Sequence, residues 1–165
     1  MLKAFLNDIL PEKIVRIEYD PNEINRYSSR DKNVIMDVFA HTEDGRRVVI
    51  EMQKKDKEGF RKRMLYYGAC RIREQLEIGD SYELLNPVYV ICIMDYCESH
   101  KVKVPEGKIL FHYRLIEEHL GELYGNCLSI IFCELPRLME KSFAQMNRQE
   151  QWFAIWRNCS KFEEE

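Results

Sequence analysis

Val34-Ile35-Met36-Asp37-Val38-Phe39-Ala40 and Arg47-Val48-Val49-Ile50-Glu51-Met52-Gln53 flank the turn Thr42-Glu43-Asp44-Gly45. Two runs rich in Val, Ile and Met around a glycine-bearing turn read as a β-hairpin. Each run carries polar side chains among apolar ones: Asp37 in the first, Glu51 and Gln53 in the second. A carboxylate in such a place is costly to bury unless it is paired, hydrogen-bonded or bound to a cation. Turn geometry decides whether the two acids meet. A two-residue Asp-Gly loop sets Asp37 opposite Met52, with Asp37 and Glu51 on opposite faces. A three-residue loop, Glu43-Asp44-Gly45 with Gly45 left-handed in a bulge, pairs Thr42 with Arg46 and Asp37 with Glu51. Strand alternation then brings Gln53 to the same face. Burial cost favours the second register, because the first leaves one carboxylate among apolar side chains.

Two neighbouring carboxylates repel each other unless one takes a proton or a divalent cation lies between them. Hard oxygen ligands suit Mg²⁺ or Mn²⁺, ions that keep several waters and engage substrate phosphate. Such an ion can lower the pKa of a bound water and stabilise charge on a phosphodiester oxygen. Directly after Gln53, residues 54–63 hold six basic side chains against two acidic ones, in a chain of net charge −3. The segment leads into the N-terminus of a helix, where free N–H groups also favour phosphate. Lys54, Lys55, Lys57, Arg61 and Arg63 are therefore the candidate nucleic-acid contacts. Each feature alone has a structural alternative. Glu51 could pair with a basic residue such as Arg63, the lysines could form a solvated face, and Arg63, Tyr66, Tyr67 and Arg71 could form a surface stripe.

Working outward, apolar residues at 2, 5, 6, 9 and 10 are spaced as a helix that stops at Pro11, and 14–19 reads as a strand. A long helix is expected over 57–78, with Phe60, Met64, Ile72 and Leu76 on one side and Gly79 as its C-cap. The run over 87–96 suits a central strand buried on both faces. Residues 109–115 and 128–133 read as further strands. Pro136 is placed for a helix start, and Asn147 with Glu150 resembles a capping box ahead of a last helix carrying Trp152, Phe153 and Trp156. The order is mixed α/β, without the regular alternation of a dinucleotide-binding fold.

The 165 residues, 45 % hydrophobic and 32 % charged, make one domain with a sizeable core and exclude a disordered chain. Four histidines show neither HExxH nor a finger spacing, and six cysteines form no CxxC pair, which speaks against a zinc site or a disulfide framework. No GxGxxG, GxxxxGK or GxSxG stretch occurs, so a nucleotide cofactor and other enzyme classes lack support. Apolar runs fall far short of the roughly 20 residues of a membrane span. Polar residues arrive too early at the start for a signal peptide. A cytoplasmic protein with no membrane partner is expected.

Asp37 followed by Glu51-x-Gln53 at the end of the second hairpin strand resembles the D…ExK signature of the PD-(D/E)XK nuclease superfamily. More narrowly, the chain resembles the recombination-promoting nuclease/transposase family, whose members read "LDV…G…IEMQ" here. The likeness extends along nearly the whole chain. Phe5-Leu6-Asn7-Asp8-Ile9-Leu10 resembles the family's "fLNaiL" helix, and Arg63-Met64-Leu65-Tyr66-Tyr67 its "R-x-x-Y-Y". Gln75-Leu76, Gly79 and Tyr82 match "QL..G..Y". The strand from Pro87 to Ile93, Glu134-Leu135-Pro136-Arg137 and the Trp152 helix match later segments.

This resemblance implies a restriction-endonuclease-like core, a mixed β-sheet flanked by α-helices with additional C-terminal helices. It also implies a bacterial DNA endonuclease of mobile elements, dependent on Mg²⁺ or Mn²⁺. Asp37 and Glu51 would be metal ligands. Gln53 would stand in the catalytic place of the superfamily lysine, orienting the attacking water, with Lys54 or Lys55 as a source of charge. The family's upstream "D-x-x-F-K-x-x-F" stretch is expected to be missing, with Asp8 or Glu12 replacing any acid from it. A truncated, inactive relic acting as a DNA-binding or interaction module is the alternative. Cutting both strands with one site per subunit would favour a homodimer.

Overall fold

Gly45, at φ +82°, accepts a left-handed conformation that a side chain would resist, and it closes a three-residue bulged turn. Thr42 N–H donates to the Arg46 carbonyl at 3.0 Å, and Gly45 N–H donates to the Thr42 carbonyl at 3.0 Å. The Glu43 carboxylate anchors this turn by accepting from the backbone N–H groups of Val15 and Arg16 at 2.6 and 2.9 Å.

The computed structural model describes residues 1–11, 13–21, 23–24, 34–35 and 37–159. Along the chain these form α1 (Leu2–Ile9), β1 (Ile17–Asp20), β2 (Glu23–Ile24), β3 (Val34–Ile35), β4 (Val38–Thr42), β5 (Arg47–Gln53), α2 (Phe60–Arg73), β6 (Val88–Met94), β7 (Leu110–Arg114), β8 (Leu128–Glu134) and α3 (Arg148–Cys159). Short 3₁₀ turns lie at Tyr82–Leu84, Leu135–Arg137 and Phe143–Gln145. Six strands make a mixed sheet in the order β1-β4-β5-β6-β8-β7, and β2 with β3 makes a separate small pair. β5, β6 and β8 run parallel, and the remaining pairings are antiparallel. This is the expected restriction-endonuclease-like architecture.

Strand alternation divides the core. Val48, Ile50, Tyr89, Ile91, Ile93 and Ile131 face α1 and α3. Val49, Val90, Cys92, Met94 and Phe132 face Phe60 and Met64 of α2. Every residue of β6 is buried, as its apolar run requires of a central parallel strand. Gly68 lets α2 lie close to the sheet, since a Cβ there would come within 2.5 Å of Leu128 Cδ1. On the other face, Phe5 meets Trp152 and Trp156 edge-on, with ring centroids 6.0 and 5.7 Å apart. The capping box of α3 is present: Glu150 N–H donates to Asn147 Oδ1 at 2.9 Å, and Asn147 N–H donates to Glu150 Oε2 at 2.8 Å.

Several expected boundaries shift. The long helix begins at Phe60 because Gly59 is left-handed at φ +76°, a conformation that no helix continues. It ends at Arg73, short of Gly79; Gln75 instead ties its amide to the backbone of Asn86 through bonds of 3.0 and 2.8 Å. The buried side of α2 is Phe60, Met64, Gly68 and Arg71 rather than a row ending at Leu76. The run over 34–40 is divided between β3 and β4, with Asp37 at the bend before β4; Met36 lies outside the described residues. Pro136 sits in a 3₁₀ turn, not at the start of an α-helix. Among the described residues no helix is long and apolar enough to cross a membrane. Cys70, Cys92, Cys97, Cys127 and Cys133 are free thiols.

Candidate functional site

The hairpin register places the site. Val38 pairs with Ile50 and Phe39 with Val49, so the next step outward sets Asp37 opposite Glu51. There the backbone ladder gives way to side-chain bonds in both directions. Asp37 N–H donates to Glu51 Oε1 at 3.2 Å, and Met52 N–H donates to Asp37 Oδ2 at 2.6 Å. Glu51 and Gln53 continue the row begun by Val49 and so face α2, while Met52 turns outward. Glu51 is only 6 % exposed and Gln53 9 %, whereas Asp37 is open to solvent.

Burial, and then the neighbouring Asp37 charge, push the Glu51 carboxyl up to about 7. The Asp37 N–H bond and the Arg63 charge pull the other way without cancelling these effects. Among the described residues no Lys or Arg forms an ion pair with either carboxylate. Glu51 therefore carries an electrostatic deficit when ionised, and a cation at the pair would relieve it.

Asp37, Glu51 and Gln53 line an open cavity of about 560 Å³ together with Met52, Lys54, Lys55, Lys57, Arg63 and Tyr67. The lysines come from the loop after β5, and Arg63 and Tyr67 from one face of α2, four residues apart. Gln53 bridges the two sides. Its Oε1 accepts from Arg63 Nη2 at 2.7 Å, and its Nε2 donates to the Lys55 carbonyl at 2.8 Å. Arg61 does not line the cavity: its Nε donates to Glu98 at 2.9 Å, and its guanidinium lies 5.2 Å from the Tyr113 ring centroid.

Asp8 lies elsewhere. Its carboxylate accepts from Trp152 Nε1 at 2.6 Å and Arg148 Nε at 2.8 Å, on the α1–α3 side of the sheet. Glu12 is outside the described residues, and among those described no group of three or more His, Cys, Asp and Glu side chains gathers as a metal cage. Two features escaped the sequence reading, the Gln53–Arg63 bond and the presence of Tyr67 in the cavity. The i,i+4 spacing of Arg63 and Tyr67 was the available signal for their shared face.

No curated protein and no solved structure shows significant similarity to the chain. A family model described as PD-(D/E)XK nuclease family transposase matches residues 1–165, and the chain belongs to that family.

Proposed function

We propose that this protein is a divalent-metal-dependent DNA endonuclease that hydrolyses phosphodiester bonds. The observation that carries this function is the pairing of Asp37 with a buried Glu51 whose carboxyl is pushed up to about 7, in a cavity that three lysines also line. The donors fit Mg²⁺ or Mn²⁺: both are carboxylate oxygens, and ionising Glu51 beside Asp37 is unfavourable until positive charge arrives. Asp37 and Glu51 would hold that ion, which when bound supplies Lewis-acid activation of water and neutralises charge on the phosphate.

The chain's own residues do the remaining work. Lys54, Lys55 and Lys57 bind the phosphate backbone by charge and orient the duplex over the cavity. Arg63 reaches the same cavity from α2, whereas the charge of Arg61 is already compensated by Glu98. Gln53 stands next to the acidic pair, in the place of the superfamily lysine, and is hydrogen-bonded to Arg63. The half-buried Tyr67 and the α2 face form the inner wall, so the buried Glu51, unlike the exposed Asp37, acts in surroundings of lowered dielectric. The protein would act in the bacterial cytoplasm without a nucleotide cofactor, and two copies would serve to cut both strands.

Supercoiled plasmid incubated with Mg²⁺ or Mn²⁺ tests this. The wild type is expected to nick or linearise it, and Asp37→Ala and Glu51→Ala are expected to stay folded and lose cleavage. Cleavage undiminished in both variants would overturn the proposal. A wild type that shifts a duplex in a salt-dependent manner without cutting it would instead be a non-catalytic binding module.

A further inference from the structure

Three of the four arginines of α2 differ in what holds them. Arg61 is paired with Glu98 at 2.9 Å, and Arg71 with Glu74 at 2.8 Å while lying 3.5 Å from the Phe39 ring centroid. Arg63 has no such carboxylate among the described residues. Its one hydrogen bond there runs from Nη2 to Gln53, and its buried Nε has no partner among the described residues. The guanidinium lies 5.2 Å from the Phe60 ring centroid and 6.0 Å from that of Tyr67, within cation–π reach of both rings. It is the α2 arginine that lines the cavity with Asp37 and Glu51.

The Gln53 amide is engaged at both ends, its oxygen by Arg63 and its nitrogen by the Lys55 carbonyl. Those two bonds fix the amide plane, and with 9 % exposure little of the side chain is left to meet a substrate. A neutral amide also supplies no cation, whereas a guanidinium offers a planar fork of donors matched to two phosphate oxygens.

We propose that Arg63 is the cationic group that meets the reacting phosphate, and that Gln53 is a positioning residue that sets the guanidinium there. This rests on the nuclease function proposed above for the same site. Arg63 supplies from the helix the positive charge that Gln53 itself lacks. Gln53 acts through it, rather than by handling the attacking water.

The test combines steady-state plasmid cleavage with side-chain NMR of the full chain. Arg63→Gln is expected to lower kcat by roughly 10²–10³, the cost of removing one preorganised transition-state donor, with KM changed far less. Arg63→Lys should recover at least about tenfold of that loss, since it restores charge without the fork. Gln53→Ala should lower kcat on its own yet add nothing in the Arg63→Gln background, as expected of residues acting as a unit. In the metal-free protein, adding a 20-base-pair duplex should shift the Arg63 Nε–Hε resonance, and Gln53→Ala should broaden it. Independent, multiplicative losses at the two positions, or an Arg63 resonance indifferent to both duplex and Gln53→Ala, would overturn the proposal. Cleavage retained by Arg63→Gln but lost in Asp37→Ala would sink the Arg63 role alone, whereas a wild type that never cuts would sink the nuclease function beneath it.

Discussion

Replacing Glu51 by Gln should make the metal-free protein more stable at alkaline pH, the reverse of what truncating a structural ion pair would do. Glu51 is 6 % exposed, and burial followed by the Asp37 charge raises its carboxyl from 4.5 to about 7. Because the folded value lies above the unfolded one, the folded state binds the extra proton. Stability from this group therefore falls as pH rises from about 4.5 to about 7 and stays low above that. Keeping such a carboxyl ionised costs about 3 kcal/mol at pH 8, at 1.36 kcal/mol per pKa unit. Gln carries no charge and keeps an oxygen to accept the Asp37 N–H. In EDTA, the advantage of Glu51→Gln should be near zero at pH 4.5 and approach about 3 kcal/mol at pH 8, a rise in Tm of roughly 6–12 °C for a domain of this size. Urea unfolding at both pH values measures it. A variant less stable than the wild type at pH 8 would refute the reasoning and show that Glu51 is satisfied by a partner within the fold.

The same linkage makes cation binding pH-dependent: Mn²⁺ affinity should fall about tenfold per pH unit below about 7 as Glu51 takes up its proton, read by calorimetry at several pH values. At saturating Mn²⁺, about a hundred times Kd, the wild type should gain about 2.7 kcal/mol of stability that Asp37→Ala lacks. Lys54→Ala and Lys55→Ala should each weaken duplex binding and reduce the slope of log K against log salt by about 1, measured by fluorescence anisotropy. Gly45→Ala should cost about 1–2 kcal/mol for its left-handed backbone, because its Cβ would also stand 2.8 Å from the Asn86 amide nitrogen; chemical denaturation tests it.

What could be read from the chain was what local chemistry determines. The bulged turn followed from the cost of leaving one acid among apolar residues, and the Thr42–Arg46 pairing of the fold agrees with it. The fully apolar β6 and the Asn147–Glu150 cap were legible for the same reason, since spacing alone specifies them. The extent of α2 was not. Its start depends on the left-handed Gly59 and its end on the Gln75 amide reaching Asn86, eleven residues away, so helical periodicity carried the expectation too far in both directions. Asp37 read as an interior strand residue, yet its side chain takes over from the ladder at the bend. The Gln53–Arg63 bond was invisible because it depends on how closely α2 docks, which Gly68, five residues after Arg63, permits. Arg61 looked equivalent to Arg63 in a basic run; only the fold brings Glu98 to one and leaves the other facing the cavity.

Mn²⁺ titration calorimetry at pH 8 on the wild type, Asp37→Asn and Glu51→Gln addresses the paired carboxylates most directly. A shared site predicts one Mn²⁺ per chain in the wild type and loss of that binding in each single variant, because neither carboxylate holds the ion alone. Equal Mn²⁺ binding by all three proteins would contradict it.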